Sequence, residues 1–383
     1  MKSRQRYGPQ FNSEYFRLWK EAALLCALNF TNRPYARGNG RILIVNPCLI
    51  GEFGASVPAL RDFIERNPEN TVDLVVTESV RPLAERIIGV GEIFVSRSVY
   101  GREQNTSPET LSPPMGYEWI IALRMSPEAF KLIKKTSAKK LTTSFGPFMR
   151  YGFHLLLRLI LGKTPKQWRT VNFEMLHGRS RELKFEEMFA PTKEDYLVEK
   201  RNPPPSENKK IVIIHTGTPW VMKRFPNERW VEALEKIANG DKYKFVFIGT
   251  STDVADYEYI SSRLPHASSS MIGKVNLAEL MVILRTADYF IGIDSGPATL
   301  AHLAETPSVV IFGPGPHMYL PYNERDQILD RSRGRGLSQM FFSSGKGIVG
   351  KISALDVVKA FNGLVSGSGH GDSRENVRHN NMA

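Results

Sequence analysis

The chain has little cysteine, no long apolar run, and fewer acids than bases. Among its 383 residues the only cysteines are Cys26 and Cys48, too few and too scattered for a disulfide framework or a cysteine metal cluster. A reducing compartment is expected on that ground. No apolar run reaches the roughly 18 residues that a membrane-spanning helix needs. No secretory signal is expected either, because YFRLWK breaks the apolar character before the short AALLCAL stretch and no small-residue cleavage site follows. These absences predict a cytoplasmic protein. Helix-turn-helix spacing, zinc ligand sets and ribonucleoprotein aromatic motifs are also lacking, which argues against nucleic acid as a partner.

The length exceeds one ordinary core and suits two domains. With 42% hydrophobic and 23% charged residues the composition is globular, not disordered. Lys and Arg number 51 against 39 Asp and Glu, a formal charge of +12, so anionic lipid or an acidic substrate is a natural partner. The bases cluster. From Lys131 to Arg169 there are ten of them and no acid, and the same segment holds the apolar stretch YGFHLLLRLILG. Two readings stay open: an interfacial surface for anionic lipid, or a solvated helix packed on the first domain.

Residues 11–30 have apolar positions at helical spacing and 31–40 read as a linker, so 1–40 is expected to be a helical extension. Strand-like runs at 42–46, 72–77, 92–96 and 119–123 then alternate with helical stretches near 55–66 and 80–89, the pattern of a parallel sheet covered on both faces. That predicts a first domain over 41–200, interrupted by a loop over 101–116. A proline-rich linker over 201–209 follows. The alternation restarts over 210–350, with strands at 211–215, 244–249, 289–293 and 308–312 and helices at 227–239, 253–263, 276–286 and 297–305. A final helix is expected over 351–365 and a disordered tail over 366–383.

The stretch from Phe290 to Pro316, FIGIDSGPATLAHLAETPSVVIFGPGP, reads as strand, acid–hydroxyl–glycine turn, helix and second strand. Pro297 suits the first turn of a helix, where its missing N–H costs nothing. Free N–H groups and a positive helix end at the carboxyl edge of a sheet suit a phosphate. Asp294 and Ser295 stand there to hydrogen-bond sugar or phosphate oxygens. The string resembles the donor-site signature of glycosyltransferase family 9, the heptosyltransferases, in which Asp-Ser/Thr-Gly-Pro precedes a His-Leu-Ala helix and a Phe-Gly-Pro strand end. IVIIHTGTPWVMKRFPNERWVEAL (Ile211 to Leu234) is similar to the family's His-x-Gly loop and Lys-Arg-Trp/Phe-Pro turn. RILIVNPCLIGEFGASVPALRDFIERNP (Arg41 to Pro68) is similar to its amino-terminal strand, Gly-Asp loop and helix. The resemblance runs in order from about Arg41 to Tyr322.

The resemblance implies a GT-B architecture: α/β, with two doubly wound Rossmann-like domains facing across a cleft; in such proteins a final helix often returns to the first domain. It implies an inverting transferase without cofactor, moving a sugar from an ADP-sugar, heptose foremost, to a lipopolysaccharide core or other anionic glycolipid or glycan. Peripheral attachment to the inner face of the cytoplasmic membrane goes with such an acceptor. No Asp-x-Asp motif occurs to hold a divalent cation on a diphosphate, so no metal is expected and the protein must supply the positive charge. Lys223 stands in the position of the family's phosphate-binding lysine, with Arg224 beside it. Thr216, Gly217 and Thr218 form a small-residue loop that a phosphate can approach. Thr250, Ser251 and Asp253 follow the strand at 244–249 and are candidates to contact ribose, while Gly296, Pro297 and Ala298 open the donor-site helix.

Glu52 takes the place of the family's catalytic Asp and is the candidate base for the acceptor hydroxyl; the alternative is helix-start electrostatics. Thr299 stands where the family generally has His, and His302 one turn on is carried away from the carboxyl edge. His215 reads as a structural histidine before a catalyst, and Glu279 as equally a helix residue or a ligand. Thr299 and Glu52 keep two alternatives open: another sugar nucleotide or a non-lipid acceptor, and a catalytically silent sugar-nucleotide-binding protein at the membrane.

Overall fold

The computed structural model describes residues 40–96, 116–124, 133, 136, 138–143, 168–201, 209–220, 223–238, 242–264, 268–313, 326–331 and 349–367. The expected amino-terminal helix, residues 101–115 of the loop, 202–208 of the proline-rich linker, most of the basic segment and the tail beyond residue 367 lie outside them. The chain divides into two compact units, Met1–Ala190 and Pro191–Ala383.

The first unit is built on five parallel strands, β1 (Arg41–Val45), β2 (Thr71–Val76), β3 (Val90–Val95), β4 (Tyr117–Ala122) and β5 (Ala138–Thr143). Their order is β3-β2-β1-β4-β5, the doubly wound pattern, which reverses direction between β1 and β4. Leu43, Ile44 and Val45 are wholly buried, as a strand covered on both faces requires. α1 (Ile50–Gly54) and α2 (Val57–Arg66) follow β1. α2 buries Val57, Leu60, Phe63 and Ile64, one face at helical spacing. At the opposite edge the buried Asp73 receives Arg41 at 2.6 Å, the Tyr117 hydroxyl at 2.9 Å and the Glu92 N–H at 2.9 Å, tying four strands together.

The second unit has six parallel strands, β6 (Lys210–His215), β7 (Tyr243–Phe247), β8 (Ser268–Ser270), β9 (Tyr289–Ile293), β10 (Ser308–Phe312) and β11 (Gln327–Asp330), ordered β11-β10-β9-β6-β7-β8. Its reversal falls between β6 and β9. Ordered along the chain, these strands repeat the winding of the first unit and extend it by one. The helices α7 (Asn227–Ile237), α8 (Val254–Ser261), α9 (Leu277–Thr286) and α10 (Gly296–Leu303) connect them; α3 (Arg81–Ala84), α4 (Trp168–Met175), α5 (Phe185–Met188) and α6 (Lys193–Arg201) come earlier in the chain. α7 buries Trp230, Ala233, Leu234 and Ile237, and Phe225 meets Trp230 edge-on at 5.3 Å. Asn276 caps α9 by accepting from the Ala278 and Glu279 amides, while Glu279 returns to the Asn276 N–H at 2.8 Å. Glu279 therefore has the structural role of a capping box.

Four expectations change. Residues 138–143 of the basic segment form a strand, not a helix, because they pair in register with β4 from Tyr117 to Ala122. The helix expected over 80–89 shrinks to α3, preceded by a single 3₁₀ turn at Glu78–Val80. The helix expected over 253–263 is α8, entered through the 3₁₀ turn Ser251–Asp253. The division between units falls after Ala190, so α6, placed by the sequence in the first domain, belongs to the second unit. α11 (Ala354–Gly367) joins the core of the second unit. Phe361 stacks edge-on against Tyr243 and Tyr289, each at 5.2 Å, and Val357 and Leu364 join the same second-unit core. Among the described residues no helix is long and apolar enough to cross a membrane.

Candidate active site

In doubly wound sheets ligands gather where the strand order reverses, beyond the carboxyl ends of the two diverging strands. In the second unit those strands are β6 and β9. Thr216, Gly217 and Thr218 leave β6 and are all buried; Asp294 and Ser295 leave β9. Lys223 Nζ lies 2.5 Å from Asp294 Oδ2, bringing together two residues 71 positions apart. The loop that carries Lys223 is knitted from within: the Lys223 N–H donates to Trp220 O at 2.8 Å, the Trp220 N–H donates to Thr218 Oγ1 at 3.1 Å, and Arg224 Nε donates to Thr218 O at 3.3 Å. Arg224 thus has at least one task inside the loop. Gly313, at the end of β10, permits the close passage of this lysine, since a Cβ there would meet Lys223 Cγ at 2.8 Å.

Ser295 occupies the N-cap position of α10 yet does not cap it. Its hydroxyl donates to Ile293 O at 2.9 Å and pairs with His215 Nδ1 at 3.1 Å. With the hydroxyl hydrogen committed to Ile293, the second bond requires a proton on Nδ1 of His215. Burial pushes the His215 pKa down to about 4, against the opposing charge of Asp253, so the ring is neutral near pH 7. His215 is therefore a structural link between the ends of β6 and β9. The first turn of α10, Gly296, Pro297, Ala298 and Thr299, starts without a side-chain cap, and the Thr299 N–H reaches back to Ser295 O at 3.3 Å.

At the end of β7, Thr250 and Ser251 are exposed and Asp253 is buried. The Thr250 hydroxyl lies 2.7 Å from that of Thr252. His302 Nδ1 approaches Asp326 at 3.5 Å, just before β11, at the amino end of that parallel strand and away from Lys223.

The reversal in the first unit lies between β1 and β4. Glu52 follows β1, half-buried in the first turn of α1. Arg124 follows β4, and its N–H donates to Val45 O at 3.1 Å. Both charges act on Cys48, whose thiol is held well above the ordinary range chiefly by burial, then by Glu52, with Arg124 opposing. A carboxylate and a guanidinium thus both bear on one buried thiol at the β1/β4 reversal. The sequence reading missed Arg124; the signal was a base immediately beyond the apolar run WIIAL. It also passed over Trp220, which is 45% exposed beside the Lys223 loop.

Comparison with known proteins places these observations. The family model of glycosyltransferase family 9 (heptosyltransferase) matches residues 166–338. The similar segment from Arg41 to Pro68 lies outside that match. Lipopolysaccharide heptosyltransferase 1 of Campylobacter coli is 29% identical over 116 residues, a stretch spanning 29% of this chain and 34% of that relative's length. A family 9 glycosyl transferase of Veillonella parvula superposes with a TM-score of 0.70 at 18% identity, covering 88% of this chain and 100% of that one. ADP-heptose LPS heptosyltransferase II of E. coli gives 0.60 at 16% identity, over 85% and 99%. Through residues 166–338 the chain is thus similar to glycosyltransferase family 9 (heptosyltransferase), and its two α/β units resemble the fold of the heptosyltransferase structures.

Proposed function

We propose that the protein is an inverting, metal-independent glycosyltransferase that moves a sugar, heptose from ADP-heptose foremost, onto a lipopolysaccharide core or a related anionic glycolipid. The observation that carries this reading is the convergence of Lys223, the Thr216–Thr218 loop and the uncapped start of α10 at the β6/β9 reversal, within the residues that match the family. A lysine and the first turn of a helix without a side-chain cap there supply the positive charge that a departing diphosphate needs. Glu52 removes the proton from the acceptor hydroxyl, whose oxygen bonds to the anomeric carbon from the face opposite the nucleotide. The bond from that carbon to the diphosphate breaks, and ADP leaves against Lys223. The E. coli relative is described by its ADP-heptose donor, which favours an ADP-sugar here.

A thermal-shift panel of ADP-, UDP-, GDP- and dTDP-sugars tests the donor. A ligand at 100 times its Kd stabilises by about 2.7 kcal/mol, so ADP-heptose should raise the melting temperature by several degrees and the other bases should not. A clear shift with another nucleotide, and none with ADP, would sink the ADP assignment. One observation favours a second donor reading: Thr299 carries a hydroxyl where the family generally has a longer, ionisable His. Under that reading the panel selects a sugar other than heptose. Measuring hydrolysis of the same sugar nucleotides separates an enzyme from a silent binder.

The basic segment supports a membrane-surface acceptor, since lysines near an anionic surface contribute about 1 kcal/mol each. Replacing Lys134, Lys135, Lys139 and Lys140 with Gln is expected to weaken sedimentation with anionic vesicles and flatten its salt dependence. Unaltered sedimentation with vesicles, with nothing pelleting in their absence, would remove the segment from membrane binding.

A further inference from the structure

Gly217 lies two residues beyond β6 and Gly249 two beyond β7, and one side chain lies against both. A Cβ built on Gly217 would stand 2.1 Å from Asp253 Oδ1, and one built on Gly249 would stand 2.5 Å from Asp253 Oδ2. Gly249 also has φ of +152°, where a side chain is strained in any surroundings. The Asp253 carboxylate is only 5% exposed. It accepts the Thr250 N–H at 2.7 Å and the Thr250 hydroxyl at 3.2 Å, which fixes it by its own capping box. The group therefore fills the gap between the loop leading to Lys223 and the loop leading to α8.

We infer that Asp253 is a positioning residue that sets where the Thr216–Thr218 backbone lies, and that Gly217 is glycine to make room for Asp253, not for a ligand. This rests on the donor reading above and replaces a ribose contact for Asp253 with a packing role. The chemistry is one of size. Any atom on Gly217 must push the loop away from Asp253, and the loop carries Thr218, whose oxygens receive Trp220 and Arg224 on the way to Lys223. Displacement here is thereby passed to the group that faces the diphosphate.

The test is a mutant cycle on the full chain, read by ADP titration well below the melting temperature and by melting itself. Gly217→Ala is expected to weaken ADP binding about 30-fold and to lower the melting temperature. Asp253→Ala alone should cost about threefold in affinity. Combining the two should return both readings to the Asp253→Ala level, the non-additivity expected of groups in contact, which ranges from about twofold to 100-fold. Asp253→Asn keeps the bulk, so Gly217→Ala with Asp253→Asn should remain as poor as Gly217→Ala alone. A Gly217→Ala, Asp253→Ala double variant that melts normally but keeps the full ADP loss would show that the ligand itself needs the bare glycine, and would overturn the inference. Additive melting losses would overturn it as well. Should the wild type bind neither ADP nor any sugar nucleotide, the donor reading fails, and the melting cycle still decides whether Asp253 dictates Gly217.

Discussion

Glu52→Gln is expected to lower turnover about 10²–10⁴-fold, the usual cost of losing a positioned general base, while the fold and donor affinity persist. The amide nearly matches the carboxylate in shape and still hydrogen-bonds an acceptor hydroxyl, but it takes no proton. A helix-start role predicts something else. Glu52 lies in the first turn of α1, which has no side-chain cap, and an acid there is worth about 0.3–1 kcal/mol of stability. On that account the Gln variant would melt slightly lower and turn over normally. Glu52→Asp sharpens the distinction. It restores the residue usual in the family but shortens the reach by one methylene, so a loop adjusted to Glu makes Asp the slower enzyme. Single-turnover rates of all three proteins with the true donor and acceptor decide the matter. Near-wild-type turnover in the Gln variant removes Glu52 from the chemistry.

Lys223→Ala should reduce ADP affinity about 10–100-fold, as expected on losing a hydrogen bond to a charged group, and turnover about 10²–10³-fold. The diphosphate is charged in the ground state and more so at departure, so both parameters fall, turnover further. This substitution has a structural cost too. Side chains of Lys223 and Asp294 are 19% and 9% exposed, and removing the lysine leaves a buried carboxylate without its cation. The expected penalty is about 1–3 kcal/mol. Lys223→Gln separates the two effects, because its amide donates to Asp294 yet carries no charge. It should recover much of the lost stability and little of the affinity or rate. A Gln variant that binds ADP as the wild type does would take Lys223 out of the donor site.

Much of the fold is legible in the sequence because its strands are covered on both faces. Runs such as RILIV, KIVIIH, YFIGI and SVVIF are almost wholly apolar between turn signals, and the turn residues that follow them fall at the sheet's carboxyl edge. The Asp-Ser-Gly-Pro turn is visible for the same reason. What stays hidden depends on partners far along the chain. The strand AKKLTT has no apolar alternation of its own and exists through its ladder with β4. The pairing of Lys223 with Asp294 spans 71 positions and leaves no local trace. Asp253 looks from sequence like an available acid after a strand; only the packing of two glycines around it reveals its confinement. The destination of α11 is equally a tertiary matter, since its apolar face is compatible with either unit and Phe361 finds its aromatic partners on β7 and β9.

The outermost place of β5 has a consequence for how this protein behaves in solution. Among the described residues β5 ends the sheet order, and a strand edge that stays uncovered is a template for joining other chains. Lysine is the residue that commonly guards such edges. Lys140 is exposed on β5, and its ammonium leans inward over β4, 3.7 Å from the centroid of the Trp119 ring, so a cation–π contact holds the charge on the face of the sheet instead of leaving it to wander. Neutralising it therefore weakens attraction to anionic lipid and also removes a lysine of the kind that keeps strand edges from pairing with other chains. Aggregates pellet without vesicles, an effect opposite in sign to lost membrane binding. Lys140→Glu keeps the edge guarded while reversing the charge, and so reports on lipid attraction without inviting the sheet to grow.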